Sequence, residues 1–310
     1  MTATRELTRF TAADDLLHDE ISRSGPHARE SLLLTAPIPE ERLLVFLYLW
    51  REGGDRWGRF VFVGGPDMDT PLFVSHLDGA EFAGEDLRDF TVGGLHWRQP
   101  EPLRVAEVDF ASPGLELSVR FEGIHEPFSW HDNADGCPDW VAHNRYEQSG
   151  LTRGVLTLGE RRVEFTGAGH RDHSWGSRDW NMLQHWKWMN AATPDGTTSL
   201  HAMIMSVKGE TLVNGYLYRD GLLSPIAAAH ASATLDERMY HRALSGRFTD
   251  EAGREMTLEC EYAAGWSMPI RHLLLNEIGM TATLDGRPAV AHVELGWPAD
   301  YVRALTAPAT

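Results

Sequence analysis

The chain has 310 residues and is 42% hydrophobic, enough to bury one large core or two ordinary ones and too much for wholesale disorder. Its 45 acidic residues against 28 Lys and Arg give a formal charge of −17, a field that repels nucleic-acid phosphates and anionic membrane surfaces. The two cysteines, Cys137 and Cys260, sit in no Cys-x-x-Cys pair, which excludes a zinc ribbon or a thioredoxin-type centre.

The start, MTATRELTRFTAADDLLHDE, is polar and acidic and lacks the basic opening and apolar run of a signal peptide. The longest apolar run, 43–50, is too short to cross a bilayer, so a cytoplasmic protein without membrane insertion is expected. Residues 11–24 suit a short amphipathic helix with Leu16, Leu17 and Ile21 on one face. Beyond it, short segments alternate with turn signals, as strands and hairpins do. Strands are expected over 42–50, 57–63, 72–76, 95–99, 105–110 and 115–122. The last alternates clearly, with Leu115, Leu117, Val119 and Phe121 against polar neighbours. Residues 126–137 carry turn formers without a period and suit a loop. Strands resume over 146–150, 152–158 and 161–166, then 199–207, 211–218, 222–226, 240–248, 256–262 and 289–296. No long helical period appears after residue 25. About sixteen short strands fill two β modules, each a sandwich or an up-and-down barrel. The alternation breaks at 166–169 without a linker, which divides the chain into tightly packed β domains of residues 1–165 and 166–310.

Residues 169–180, GHRDHSWGSRDW, hold two His, two Asp, two Arg and two Trp, and His185, Trp186, Lys187 and Trp188 follow closely. As a strand, the segment puts His170, Asp172 and Ser174 on one face and Arg171, His173 and Trp175 on the other. An Asp desolvated among indoles is pushed toward its neutral form and becomes a proton donor. Indole faces stabilise a cation formed beside it. Such a site protonates an alkene or a departing hydroxyl in an apolar pocket. Three other arrangements fit the same residues. His170, His173 and Asp172 could bind a metal, although i and i+3 on a strand diverge, and no metal is expected. The arginines and aspartates could form structural ion pairs between modules. Ser174 could serve a Ser-His-Asp relay, but no Gly-x-Ser-x-Gly elbow surrounds it.

Asp172, His173, Ser174, Trp175 and Gly176 resemble the Asp-His-x-Trp-Gly signature of the carotenoid 1,2-hydratase (hydroxyneurosporene synthase) superfamily, which includes AttH-like proteins and lipocalin-type cyclases. Supporting similarity lies in His27 through Ser31, in Tyr146, Glu147, Gln148, Ser149 and Gly150, and in Asn214 through Gly221. The resemblance spans roughly residues 27–300. It implies a mainly β protein of two lipocalin-like (calycin) antiparallel barrels packed together. It also implies an apolar isoprenoid- or polyketide-like substrate, no redox cofactor, and Asp172 as the proton donor. His170 stands where the hydratases carry Tyr. The expectation is therefore a hydratase, dehydratase or cyclase, with Asp172 as acid and His170 and His173 relaying or removing a proton. Trp175 and Trp180 would stabilise the cation, and Tyr146, Glu147, Gln148, Trp186, Trp188 and Trp130 would line the pocket. The alternatives are a non-catalytic carrier, which a lipocalin-like cavity also permits, or a pericyclase that works by shape. An oligomer is left open.

Overall fold

The structure is a computed structural model that describes residues 6–19, 25, 27–53 and 55–307. The first sheet contains β1 (Ala28–Ile38), β2 (Leu43–Glu52), β3 (Arg56–Gly64), β4 (Phe73–Ala80), β5 (Phe82–Gly84), β6 (Asp89–Val92), β7 (Leu95–Glu101), β8 (Val105–Ser112), β9 (Leu115–Gly123), β10 (Phe128–Ser129), β11 (Asn144–Leu158) and β12 (Arg161–Ser177). The second contains β13 (His185–Ala192), β14 (Thr198–Val207), β15 (Glu210–Arg219), β16 (Leu222–Leu235), β17 (His241–Asp250), β18 (Glu255–Ile270), β19 (Leu273–Leu284) and β20 (Arg287–Pro298). A short helix, Ala299–Thr306, follows. The expected helix over 11–24 is only a 3-10 turn, Ala12–Asp15, and residues 20–24 lie outside the described residues.

The first twelve strands form one antiparallel sheet in the order β4-β3-β2-β1-β12-β11-β9-β8-β7-β6-β5, with β10 added on β11. Strands β13 to β20 form a closed eight-stranded barrel in chain order, sealed by β13 against β20. These are the two lipocalin-like antiparallel barrels expected, the first curled and nearly closed. No described helix is long and apolar enough to cross a membrane.

The alternation expected in β9 is present: Leu115, Leu117, Val119 and Phe121 join the apolar cluster inside the first barrel. The corresponding cluster inside the second barrel includes Met189, Leu200, Leu217, Phe248, Leu258, Ile278 and Val293. Both lumens are thus packed with side chains, as small barrels generally are. A third cluster lies between the barrels. There Leu33, Leu44, Phe46 and Phe62 on the outer face of the first meet Trp186, Trp188, Met203 and Leu275 on the outer face of the second.

This back-to-back packing corrects the domain boundary expected at residue 165. Strand β12 alternates between exposure and burial from Arg161 to Thr166, then is continuously buried from Ala168 to Gly176. The pattern breaks because the strand slides beneath the second barrel and acquires two buried faces, and a strand buried on both sides has no polar face to alternate with. The sheets part later, between Ser177 and His185.

Candidate active site

A cavity of about 710 Å³ opens between the barrels. Seven of the eleven tryptophans line it: Trp50, Trp130, Trp140, Trp180, Trp186, Trp188 and Trp266. Phe46, Tyr48, Phe60, Met203 and Met268 complete the apolar wall. The tryptophan surplus of the composition is therefore spent mainly on this hollow.

Asp172 reaches the cavity from β12, paired in register with Glu147 on β11 and Leu33 on β1. Its Oδ2 accepts a hydrogen bond from Arg145 Nη2 at 2.8 Å, while its Oδ1 is buried without a partner. Arg145 is shared: its Nε donates to Glu147 Oε1 at 2.6 Å, and its guanidinium lies over the Trp130 ring. Two carboxyls on one arginine cannot both be fully compensated. Burial pushes Asp172 up to about 6 despite the pull of Arg145, and the neighbouring Glu147 charge adds to the rise. Burial also opposes ionisation of Glu147, but Arg145, His201 and His170 outweigh it and hold that carboxyl below its usual range. The pair thus divides into an ionised Glu147 and a protonatable Asp172. The arginine that would silence an isolated aspartate is already half committed, and a cavity lies beside the free Oδ1.

Of the other expected site residues, Trp130, Trp180, Trp186 and Trp188 line the cavity with Asp172. Glu147 and His170 lie behind its wall. Their side chains are joined at 2.7 Å, and Trp188 Nε1 donates to Glu147 Oε1 at 3.3 Å. His173, Trp175, Tyr146 and Gln148 are corrected: strand alternation turns them away, into the first barrel. His173 pairs with Glu30 at 3.0 Å, and Trp175 stacks on His18 at a centroid distance of 3.9 Å. Burial raises the Glu30 carboxyl, but its bonds to His173 and His18 dominate and bring it down to about 2. The Tyr146 hydroxyl donates to Asp15, and Gln148 Oε1 accepts from Arg171 Nε at 2.7 Å. The motif histidine and tryptophan are scaffold, tying the N-terminal segment across the barrel.

Ser174 Oγ is engaged by Ser31 at 3.0 Å and Arg178 at 2.7 Å, while His170 and His173 both pair with glutamates, so no serine relay forms. His170 and His173 fall on opposite faces of β12 and cannot share an ion. Among the described residues, two groups gather ligand-type atoms: His18, Glu30 and His173, and Glu147, His170 and His201. In each, an arginine already neutralises the carboxylate, Arg51 at 3.4 Å from Glu30 and Arg145 at 2.6 Å from Glu147. A fixed guanidinium at that distance opposes a divalent cation.

The expected loop over 126–137 is a clamp. Strand β10 and a 3-10 turn, Trp130–Asp132, carry Trp130 inward. Asn133 then exchanges two 2.9 Å bonds with the backbone of Gly215 in the second barrel. Gly176 of the motif has φ +121 and presses on His143, where a Cβ would lie 2.4 Å from the His143 nitrogen. That contact seats the segment bearing Trp140 and Val141 at the cavity.

The second barrel contributes Glu277 and Glu294, which the sequence expectation missed. The available signal was a lone acid in each of two apolar strands, LLLNEIGM and VAHVELGW. They are register partners on β19 and β20. Glu277 accepts from or donates to His292 Nε2 at 2.8 Å, and Trp186 Nε1 donates to Glu294.

Two back-to-back antiparallel barrels with a protonatable, aromatic-walled cavity between them define a protein of lipocalin-like fold. A Nitrosomonas europaea protein crystallised as a candidate AttH superposes with a TM-score of 0.65 at 14% identity, covering 94% of this chain and 96% of that one. Kievitone hydratase from Nectria haematococca gives 0.60 at 10% identity, covering 95% and 97%. CghA, solved with Sch210972, gives 0.58 at 14% identity and 88% coverage of each chain. No curated protein sequence matches significantly. Residues 11–299 match the family described as Domain of unknown function (DUF7064), and the chain belongs to that family.

Proposed function

We propose that this protein is a hydro-lyase or isomerase that protonates an apolar, alkene-bearing small molecule between its barrels, with Asp172 as the acid. The observation that carries this is the unpartnered Oδ1 of a buried aspartate, raised to about 6, beside a tryptophan-walled cavity. Protonation of a carbon makes a cation, and indole faces at the wall stabilise it. Trp130, Trp180, Trp186 and Trp188 serve that role, and Glu147 acts through Arg145 to position and tune Asp172. The likeness to kievitone hydratase supports the same class of chemistry. The substrate is apolar and isoprenoid- or polyketide-like in size, and the chemistry runs on side-chain protons without a redox cofactor.

The test is turnover of a panel of isoprenyl and polyene compounds in D2O, scored by mass for deuterium placed on carbon. Asp172→Asn should lose about 10²- to 10⁴-fold in rate while retaining the ligand. A carrier would bind and never label its ligand. A catalyst working by shape alone would tolerate Asp172→Asn and fail when Trp186 or Trp188 is cut to Ala.

A further inference from the structure

We propose that Glu277 and Glu294 form a carboxyl dyad that holds one proton between them and serves as the proton-accepting station of the inter-barrel cavity. This rests on the protonation chemistry assigned to Asp172 and extends it to the second half of the reaction. The two glutamates are direct register partners on β19 and β20, so their side chains stand side by side on one face of the sheet, and both line the cavity. Two neighbouring carboxylates repel each other and can join only when one of them is the acid, so this placement favours one shared proton. Among the described residues no arginine or lysine pairs with either; their other partners are the His292 ring and the Trp186 indole. Glu277 Oε1 has no further partner. Of the cations on the facing barrel that line the cavity, Arg29 pairs with Glu52, Arg56 with Asp78 and Arg145 with Glu147 and Asp172, while Arg178 donates to the Ser174 hydroxyl; none of the four pairs with either glutamate.

Desolvation acts in the same direction. Burial raises Glu277 to about 7 and lifts Glu294 well above the carboxylate range, with the Glu277 charge adding to the latter. Burial also brings His292 down to about 4, so it meets Glu277 as a neutral ring rather than a counter-ion. The dyad is then a monoanion that faces the cavity without a cation of its own. Like-charged carboxyls in contact share a proton in this way.

The proton inventory closes. Asp172 gives its proton to an alkene carbon; the π electrons form the new C–H bond and leave a carbocation on the neighbouring carbon. The dyad carboxylate takes a proton from an adjacent C–H, whose electrons form a new C=C, or from a water that adds to the cation. The dyad thereby becomes fully protonated and Asp172 ionised, and solvent at the rim resets both. The substrate class follows: an alkene whose cation is held close to an anion and either loses a neighbouring hydrogen or gains hydroxide.

The experiment uses the full chain in two arms. In infrared spectra at about pH 8, a carboxylic-acid C=O band that shifts in D2O should be present, should disappear in Glu277→Gln and in Glu294→Gln, and should survive Asp172→Asn. No such band, or one that survives both Gln variants, overturns the dyad. The second arm measures quenching of tryptophan fluorescence by N,N-dimethyldodecylamine, a cation mimic, and by dodecanol. The double variant Glu277→Gln/Glu294→Gln should lose at least about tenfold in amine affinity, and either single variant far less, because one glutamate keeps the charge. Dodecanol binding should not change. Amine affinity equal in wild type and double variant overturns the dyad's charge. Failure of dodecanol itself to bind counts against the apolar cavity instead, and the infrared arm then decides the dyad alone.

Discussion

Asp172 is chemically useful because burial and the neighbouring Glu147 charge, which competes for the same arginine, outweigh the pull of Arg145 toward the anion and leave the carboxyl raised to about 6. The reactive species is the acid. Activity should therefore fall as pH rises above about 6, a limb that should vanish in Asp172→Asn, and with the Glu277–Glu294 pair as acceptor it should also fall as pH drops below about 7, so kcat/KM against pH should be a bell centred between those values. Glu277 provides a stability counterpart. Its folded pKa, about 7, lies above its ordinary 4.5, so folding takes up a proton and the carboxyl costs stability as pH rises from the lower value through the higher. The double variant Glu277→Gln/Glu294→Gln, which removes the buried anion altogether, should accordingly stabilise the protein by on the order of 2–3 kcal/mol at about pH 8 and hardly at all at about pH 4, read from denaturant midpoints. The segment 169–180 was legible as unusual, and strand alternation assigned Asp172 and His173 to opposite faces. What alternation could not tell was which face meets the cavity, and so Trp175, Tyr146 and His173 were placed in a pocket when they belong to the lumen of the first barrel.

Among elements, β12 shows how one strand carries two roles. Its first half has a solvent face and reads as an ordinary strand; its second half is buried on both sides and carries the motif. The motif ends in Gly176 because the backbone there has positive φ and touches His143, which leaves no room for a side chain. Gly176→Ala should cost about 1–3 kcal/mol from strain alone, and more if His143 must move. Displacing the adjoining Trp140 and Val141 should also weaken binding of an apolar probe, so melting temperature and probe affinity should fall together. The strands β19 and β20 were expected only in part, 289–296 for the latter and nothing for the former. Both bury one face in the barrel and the other against its neighbour, so the period of two is blurred.

For the whole molecule, the third apolar cluster makes the barrels one cooperative unit. Trp186, Trp188, Met203 and Leu275 would all be bared if the first barrel unfolded alone. Calorimetry should show a single transition with matching calorimetric and van't Hoff enthalpies; two resolved transitions would mean that the interface contributes little.

The sequence by itself determined the strand-rich, two-module architecture and the unusual aspartate, because period-two patterning and tight turns are local properties of the chain; the barrel form of the modules followed from the family resemblance. Only the tertiary structure decided that both lumens are filled, that the hollow lies between the barrels, and that Glu277 and Glu294 join it. Those outcomes depend on which outer faces meet, a contact between residues more than a hundred positions apart, and no local pattern encodes it.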